Sequence, residues 1–282
     1  MGDNKATNPS PATRHLPRVL IIAGSDSGGG AGIQGDIKTV TCMGGYAATA
    51  ITALTAQNTQ GVFGIHAVPD DFIAQQISLI LEDIGADAIK TGMLHSASVI
   101  DVIVNHVPND IPLIVDTVMV AKGGSPLLEP SAINALKSKL IPRAHIITPN
   151  IPEAELLLGR KIPDSAAMEQ AVRDLLKLGS HAVLLKGGHL EGDEVTDILI
   201  ENGNIITYSS PRIATRHTHG TGCTLASALA TGIAAGLPLP EAVSRAREYV
   251  LNALKTVPGL GKGHGPLGHN FMLYEASRLN QP

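Results

Sequence analysis

Residues 19–42 read VLIIAGSDSGGGAGIQGDIKTVTC, and this stretch decides the fold. Val19–Ala23 is apolar at every position, as a strand is when both of its faces are covered. A turn of small residues, Gly24–Gly32, follows it. Ile33, Ile37 and Val40 then recur at i, i+4 and i+7, so the spacing predicts a helix over Gly32–Cys42 with one apolar face.

The chain continues the alternation. Ala47–Leu54, Ala88–Thr91, Leu113–Val115, His145–Ile147 and Ala182–Leu185 read as strands. Helical patterns lie between them over Asp71–Ile84, Ser96–Val107, Pro130–Leu140, Pro152–Leu158 and Ser165–Leu178. Glu194–Ile200 and Ile205–Tyr208, joined across Asn202-Gly203, read as an antiparallel hairpin. Two further helices are expected over Thr221–Ala235 and Pro240–Thr256. Short links between β and α elements predict an α/β fold of three layers, with helices on both faces of a mostly parallel sheet. Residues 1–17 carry Pro9, Pro11 and Pro17 among small polar residues and read as a disordered lead, leaving 18–282 as one expected domain. In open α/β sheets ligands bind beyond the carboxyl ends of the strands, and the polar motifs cluster there.

His217-Thr218-His219-Gly220-Thr221-Gly222-Cys223-Thr224 runs straight into the helix expected from Thr221. A small-residue turn opening a helix leaves backbone N–H groups without partners, at the positive end of the helix dipole. Cys223 falls in the first turn, where a thiol pKa is expected to be lowered. Oriented N–H groups and an ionisable side chain are what phosphoryl transfer uses. A tight turn with a small core cysteine would leave the same spelling. His217 and His219 read as turn histidines, because no third metal ligand stands near them in the sequence.

Other strand ends carry weaker signals. Gly30, Gly32 and Gly35 satisfy G-x-G-x-x-G, but the acidic residue a dinucleotide fold expects about 20 positions on is replaced by Thr55-Ala56-Gln57-Asn58. Asp36, one turn into the first helix, is placed to reach a ligand through its carboxylate. Gln57 can donate and accept at the edge of a heterocycle. Met93, Val118 and Met119 can wall a flat ring or simply fill core. Asp116 ends a strand, where an unpaired buried carboxylate is costly. Asn150 and Glu153 stand three apart at a helix start, which suits both Mg²⁺ held through water and ordinary capping. Lys186 precedes two glycines at a strand end and suits a phosphate.

Composition removes several classes of function. The 282 residues carry a net charge of −4 and seven aromatic residues, four Tyr and three Phe, which argues against a nucleic-acid footprint or a polybasic membrane contact. No apolar run approaches the roughly 18 residues needed to cross a bilayer. Two cysteines, Cys42 and Cys223, form no disulfide framework and point to a reducing, cytoplasmic compartment.

Seven ordered blocks together resemble one family: AGSDSGGGAGIQGD (23–36), ITALTAQNTQGV (51–62), KTGML (90–94), DTVMVAKGG (116–124), ITPNIPEAELLLG (147–159), LKGGH (185–189) and HTHGTGCTLASALA (217–230). The chain is similar over about 19–271 to the bacterial hydroxymethylpyrimidine/phosphomethylpyrimidine kinases of thiamin biosynthesis, a branch of the ribokinase-like superfamily. The resemblance implies ATP- and Mg²⁺-dependent phosphorylation of 4-amino-5-hydroxymethyl-2-methylpyrimidine and then of its monophosphate. It implies that Gly24, Asp36, Gln57, Met93, Val118 and Cys223 line the pyrimidine site. Gly220, Thr221, Gly222 and Cys223 would form the anion hole, with Cys223 at the position of the proton acceptor. Lys186, Asn150 and Thr221 would contact ATP, and Asp116, Asn150 and Glu153 would organise Mg²⁺ and its waters. A homodimer binding no nucleic acid or membrane is expected. A pyridoxal kinase is the nearest rival reading; a dinucleotide oxidoreductase and a non-catalytic pyrimidine sensor are more distant ones.

Overall fold

The computed structural model describes residues 15–119 and 127–273. Residues 1–14 of the expected lead and Val120–Gly124 of the DTVMVAKGG block lie outside them. The elements in chain order are β1 (Arg18–Asp26), α1 (Gly32–Cys42), β2 (Tyr46–Asn58), β3 (Gly61–Ala67), α2 (Asp70–Asp83), β4 (Ala88–Thr91), α3 (Ala97–His106), β5 (Leu113–Val115), α4 (Pro130–Ala135), β6 (Ile146–Ile147), α5 (Ile151–Leu158), α6 (Ser165–Leu176), β7 (Ala182–Lys186), β8 (Glu194–Glu201), β9 (Asn204–Pro211), α7 (Thr221–Ala234) and α8 (Leu239–Lys255).

The strands form one sheet in the order β3-β2-β1-β4-β5-β6-β7-β8-β9. The six from β2 to β7 are parallel; β3 and β8 run against them at the two ends, and β9, antiparallel to β8, runs with them again. Alternate residues of β1 serve opposite faces. Leu20 and Ile22 pack with α2 to α6, whereas Val19, Ile21 and Ala23 pack with α1, α7 and α8. Each fully buried Leu or Ile contributes about 1.5–3 kcal/mol, so two dry layers hold the sheet rigid beneath its carboxyl edge. Strand order reverses between β1 and β4, and the crevice beyond that point is where an open α/β sheet binds ligands.

Three departures have physical causes. The strand β3 carries no core-facing pattern, because it is an edge strand wet on both faces; Phe63 is 73 % exposed. The helix expected over Pro130–Leu140 starts as α4, widens to a π-turn over Leu136–Leu140 and tightens to a 3₁₀ turn at Ile141–Arg143, where Pro142 supplies no N–H. The strand β2 runs on to Asn58, because its last residues pair with β3.

Candidate active site

The turn after β1 is wrapped around a carboxylate. Asp26 Oδ1 accepts the N–H of Gly28 at 2.8 Å, and Oδ2 accepts those of Gly30 at 3.1 Å and Ala31 at 2.9 Å. Burial works against ionisation of Asp26, but His219 and these N–H groups outweigh it and hold the carboxyl below its ordinary range. Gly32 sits at φ 53°, with no room for a Cβ beside the Gly24 carbonyl. Glycine is therefore required where the turn enters α1.

The second turn opens α7. Gly220 is its N-cap in the left-handed region at φ 85°, and a Cβ there would strike the Gly30 carbonyl. The two glycine turns thus touch. The Thr224 N–H donates to Gly220 O at 2.8 Å, and Thr221 Oγ1 donates to Thr218 O at 2.7 Å. The first-turn N–H groups of Gly222 and Cys223 have no intrahelical acceptors. A Cβ on Gly222 would lie 3.3 Å from Lys186 Nζ and 3.9 Å from Asp116 Oδ2, so a cation and a carboxylate flank the turn.

Cys223 corrects the expectation of a lowered thiol pKa. Burial pushes it up to about 12; the Lys90 cation and the Gly32 N–H oppose the rise, while Asp36 and Asp116 add to it. Desolvation and two carboxylates outweigh the helix terminus, so the thiol is protonated at neutral pH in the free protein.

Asp36 also departs from expectation. Its side chain is wholly buried, and neither oxygen is free for a ligand. Lys90 Nζ donates to Oδ2 at 2.8 Å, and Ser227 Oγ donates to Oδ1 at 2.7 Å. Gly32 and Asp36 are four apart on α1, as Cys223 and Ser227 are on α7. Both helices therefore meet the sulfur with one residue and the buried pair with the residue one turn on. Asp36 acts beneath the pocket, not on its wall.

The β5–β7 side gathers the remaining charges. Lys186 Nζ donates to Asp116 Oδ1 at 3.2 Å, and Thr148 Oγ1 donates to the same oxygen at 3.2 Å. Asp116 Oδ2 is buried and has no hydrogen-bond partner among the described residues. Burial works against the Lys186 cation, but Asp116 and Glu153 more than compensate and raise its pKa. Glu153 Oε2 accepts from Thr117 Oγ1 at 3.0 Å and from the Asn150 N–H at 2.9 Å, while Asn150 Oδ1 accepts the Glu153 N–H at 2.9 Å. This is a complete capping box, so both residues do cap α5. Burial pushes Glu153 up to about 7 against the pull of Lys186. The Asp116 oxygen and the buried Glu153 carboxyl are hard donors that fit Mg²⁺. Among the described residues no group of three or more His, Cys, Asp or Glu is arranged to hold a metal.

The apolar side is nearer β1 and β2. A Cβ on Gly24 would lie 3.1 Å from Met93 Sδ, and Thr52 Oγ1 donates to Met93 O at 2.7 Å. The Val118 N–H donates to Asp116 O at 2.8 Å, turning Val118 back over the end of β5. Gln57 is joined to Asp26 through His219, whose Nε2 lies 2.8 Å from Asp26 Oδ2 and 3.3 Å from Gln57 Nε2. Sequence reasoning missed the roles of Asp26, His219, Lys90 and Ser227. The signals were present: a carboxylate inside a glycine turn, a histidine beside the N-cap glycine, and a lysine within an otherwise apolar strand.

The family model for phosphomethylpyrimidine kinase matches residues 26–268. The thiamine biosynthesis bifunctional protein ThiED of Geobacter sulfurreducens is 51 % identical over 253 residues, which are 89 % of this chain and 52 % of that protein, so the chain spans about half its length. The hydroxymethylpyrimidine/phosphomethylpyrimidine kinase of Haemophilus influenzae is 45 % identical over 90 % of this chain and 97 % of its own. Among solved structures, an ADP complex of Bacillus subtilis pyridoxal kinase superposes with a TM-score of 0.83 at 32 % identity, covering 94 % of this chain and 100 % of that one.

Proposed function

The chain belongs to the phosphomethylpyrimidine kinase family, and from that premise we propose that it transfers the γ-phosphoryl group of ATP to the hydroxymethyl group of 4-amino-5-hydroxymethyl-2-methylpyrimidine and then to the monophosphate so formed. One observation carries the reading: the open first turn of α7, with Cys223 in it, is flanked by Lys186 and by a buried Asp116 oxygen that has no partner among the described residues. A cluster of N–H donors, a cation and a spare hard oxygen at one point matches a migrating phosphoryl group.

In this reading the N–H groups of Gly222 and Cys223 hold the charge that develops on the transferred group, and Thr221 helps fix their turn. Lys186 leaves Asp116 for the nucleotide phosphates, which frees a carboxylate oxygen. Asp116, Glu153 and Asn150 are the residues that would hold Mg²⁺, in part through water. When bound, the ion neutralises phosphate charge. Gly24, Met93 and Val118 flank the ring and Gln57 reads its polar edge. Because the thiol keeps its own proton, Cys223 acts as a relay in the loaded site: its S–H proton passes to an oxygen of the transferred phosphoryl group as it takes the hydroxyl proton. A loose phosphoryl-transfer transition state asks little of a base until the bond to the acceptor oxygen is advanced. Positioning and the N–H cluster therefore carry most of the rate.

We extend the reading to residues 18–282 as one catalytic unit and to a cytoplasmic homodimer, which sedimentation tests. Among the described residues no helix is long and apolar enough to cross a membrane. The superposition on a pyridoxal kinase keeps pyridoxal as a second reading. ADP release is to be measured with the pyrimidine alcohol, its monophosphate and pyridoxal. The proposal expects turnover of the first two and a large preference over the third; a preference for pyridoxal overturns it.

A further inference from the structure

A hydrogen-bond count at the end of β2 fixes more than the distances alone. Ionised Asp26 can only accept, so His219 Nε2, 2.8 Å from its Oδ2, must carry a proton. The same nitrogen lies 3.3 Å from Gln57 Nε2, which is also a donor. At the other end of the amide, Thr55 Oγ1 lies 3.1 Å from Gln57 Oε1, yet its one proton already goes to Ser25 O at 2.9 Å. Two donors face each other, and two acceptors share one hydrogen. Turning the amide by half a turn about its last bond removes the facing donors and the acceptor pair at Thr55. The amino group then donates to Thr55, whose own proton stays on Ser25, and the carbonyl oxygen takes the longer, weaker share of the one His219 Nε2–H, whose main acceptor is Asp26 Oδ2.

The His219 ring is well placed to enforce this choice. Its side chain is 15 % exposed, and its backbone N–H donates to Gly265 O at 3.1 Å. A Cβ on Gly30 would come within 2.6 Å of its Cδ2, so a glycine there lets the ring lie against the β1 turn. The backbone of Gln57 is pinned as well, because its N–H donates to Ser27 Oγ at 2.8 Å and its carbonyl accepts from the same hydroxyl at 2.8 Å. With His219 and Thr55 each taking one of its bonds, the Gln57 amide keeps one lone pair and one proton for a ligand.

We propose that His219, clamped by Asp26, is a specificity-determining positioning residue that locks the Gln57 amide so that its remaining donor and acceptor match the ring nitrogen and amino group of a 4-aminopyrimidine. The substrate class rests on the functional reading above; the clamp itself rests on the count. A free amide could turn over and meet the same ring with donor against donor. A site that hydrogen-bonds a polar edge discriminates against analogues lacking it because its own groups are left unpaired.

The test is a double-mutant cycle on the whole protein, with ligand Kd measured by calorimetry and kcat by ADP release. The variants are His219→Ala, His219→Gln, Gln57→Ala and the double alanine, each checked for an unchanged melting temperature. His219→Ala is expected to weaken the aminopyrimidine about tenfold, the size of one hydrogen bond. Its preference over the analogue without the amino group should shrink by the same factor, with the KM for ATP unchanged within about twofold. His219→Gln restores an N–H near the Nε2 position and should recover most of the affinity. In the Gln57→Ala background, removing His219 should add little, because it acts through Gln57. Multiplying losses, or a His219→Gln variant no better than His219→Ala, overturn the clamp. If the parent binds pyridoxal and not the pyrimidine, the functional reading falls, and the same cycle read with pyridoxal still decides the clamp: non-additive losses support it and additive ones refute it.

Discussion

Replacing Lys90 by methionine should destabilise the protein by about 3–5 kcal/mol at pH 8, the cost of leaving one member of a buried ion pair alone. Lys90 and Asp36 are both wholly buried and 2.8 Å apart, so solvent cannot take over when the cation goes. Among the described residues the Asp36 carboxylate would keep only the Ser227 hydroxyl. Burial already pushes the Asp36 carboxyl up in spite of Lys90, and without that cation it rises further and takes a proton in the folded state. Its folded pKa then lies above the unfolded value of about 3.9. A carboxyl raised in this way costs nothing below the unfolded pKa, and the cost grows by about 1.4 kcal/mol per pH unit until the folded pKa is reached. The deficit of Lys90→Met against the parent must therefore be larger at pH 8 than at pH 5. The triple variant Lys90→Met, Asp36→Leu, Ser227→Ala removes every polar partner and should recover most of the loss. The chain has no Trp, so urea unfolding is followed by far-ultraviolet circular dichroism. A Lys90→Met deficit below about 1 kcal/mol at pH 8, or one that does not change with pH, would refute a dry, mutually dependent pair.

Further outcomes follow from Glu153 and Cys223. Glu153 is raised to about 7 in the folded protein, so its contribution to stability falls as pH climbs from its unfolded value, about 4.3, toward 7. Glu153→Gln should flatten that slope in urea unfolding, and it should also remove the acid limb near pH 7 from the profile of kcat/KM. Cys223, pushed up to about 12, should react with iodoacetamide slowly at pH 8, with a rate still rising tenfold per pH unit at pH 10 when followed by peptide mass spectrometry. Cys223→Ala should lower kcat by about 10²-fold or more with a smaller change in KM; turnover at the parent rate would remove its proton role.

Sheet and helices were readable where burial imposes a pattern. Leu113–Val115 matches its strand end to end, because a short strand covered on both faces is apolar throughout; Ala88–Thr91 matches as well, with Lys90 and Thr91 as buried polar residues at its carboxyl end. The edge strand Gly61–Ala67 could not be read, since water on both of its faces leaves no periodicity to find. At the site, motif spelling marked positions without their partners. Asp36 was singled out, but Lys90, 54 residues away, determines what its carboxylate does. His219 stood beside the Gly220 turn, yet its partners Asp26 and Gln57 lie 193 and 162 residues distant, separations at which no local pattern survives. The thiol pKa was misjudged for the same reason. A helix terminus is visible in sequence, whereas the desolvation that outweighs it is a property of the packed molecule.

The turn after β1 has one more consequence. Three of its amide hydrogens converge on Asp26, so that concavity already contains its own anion, covalently attached and never released. A phosphate arriving there would find the seat taken by a group of like charge. The neighbouring turn at Gly220, with no acidic residue in the first turn of α7, is left to receive the mobile anion. Two adjoining loops of similar glycine content thus divide into a sealed turn and an open receptor, and a single carboxylate makes the difference.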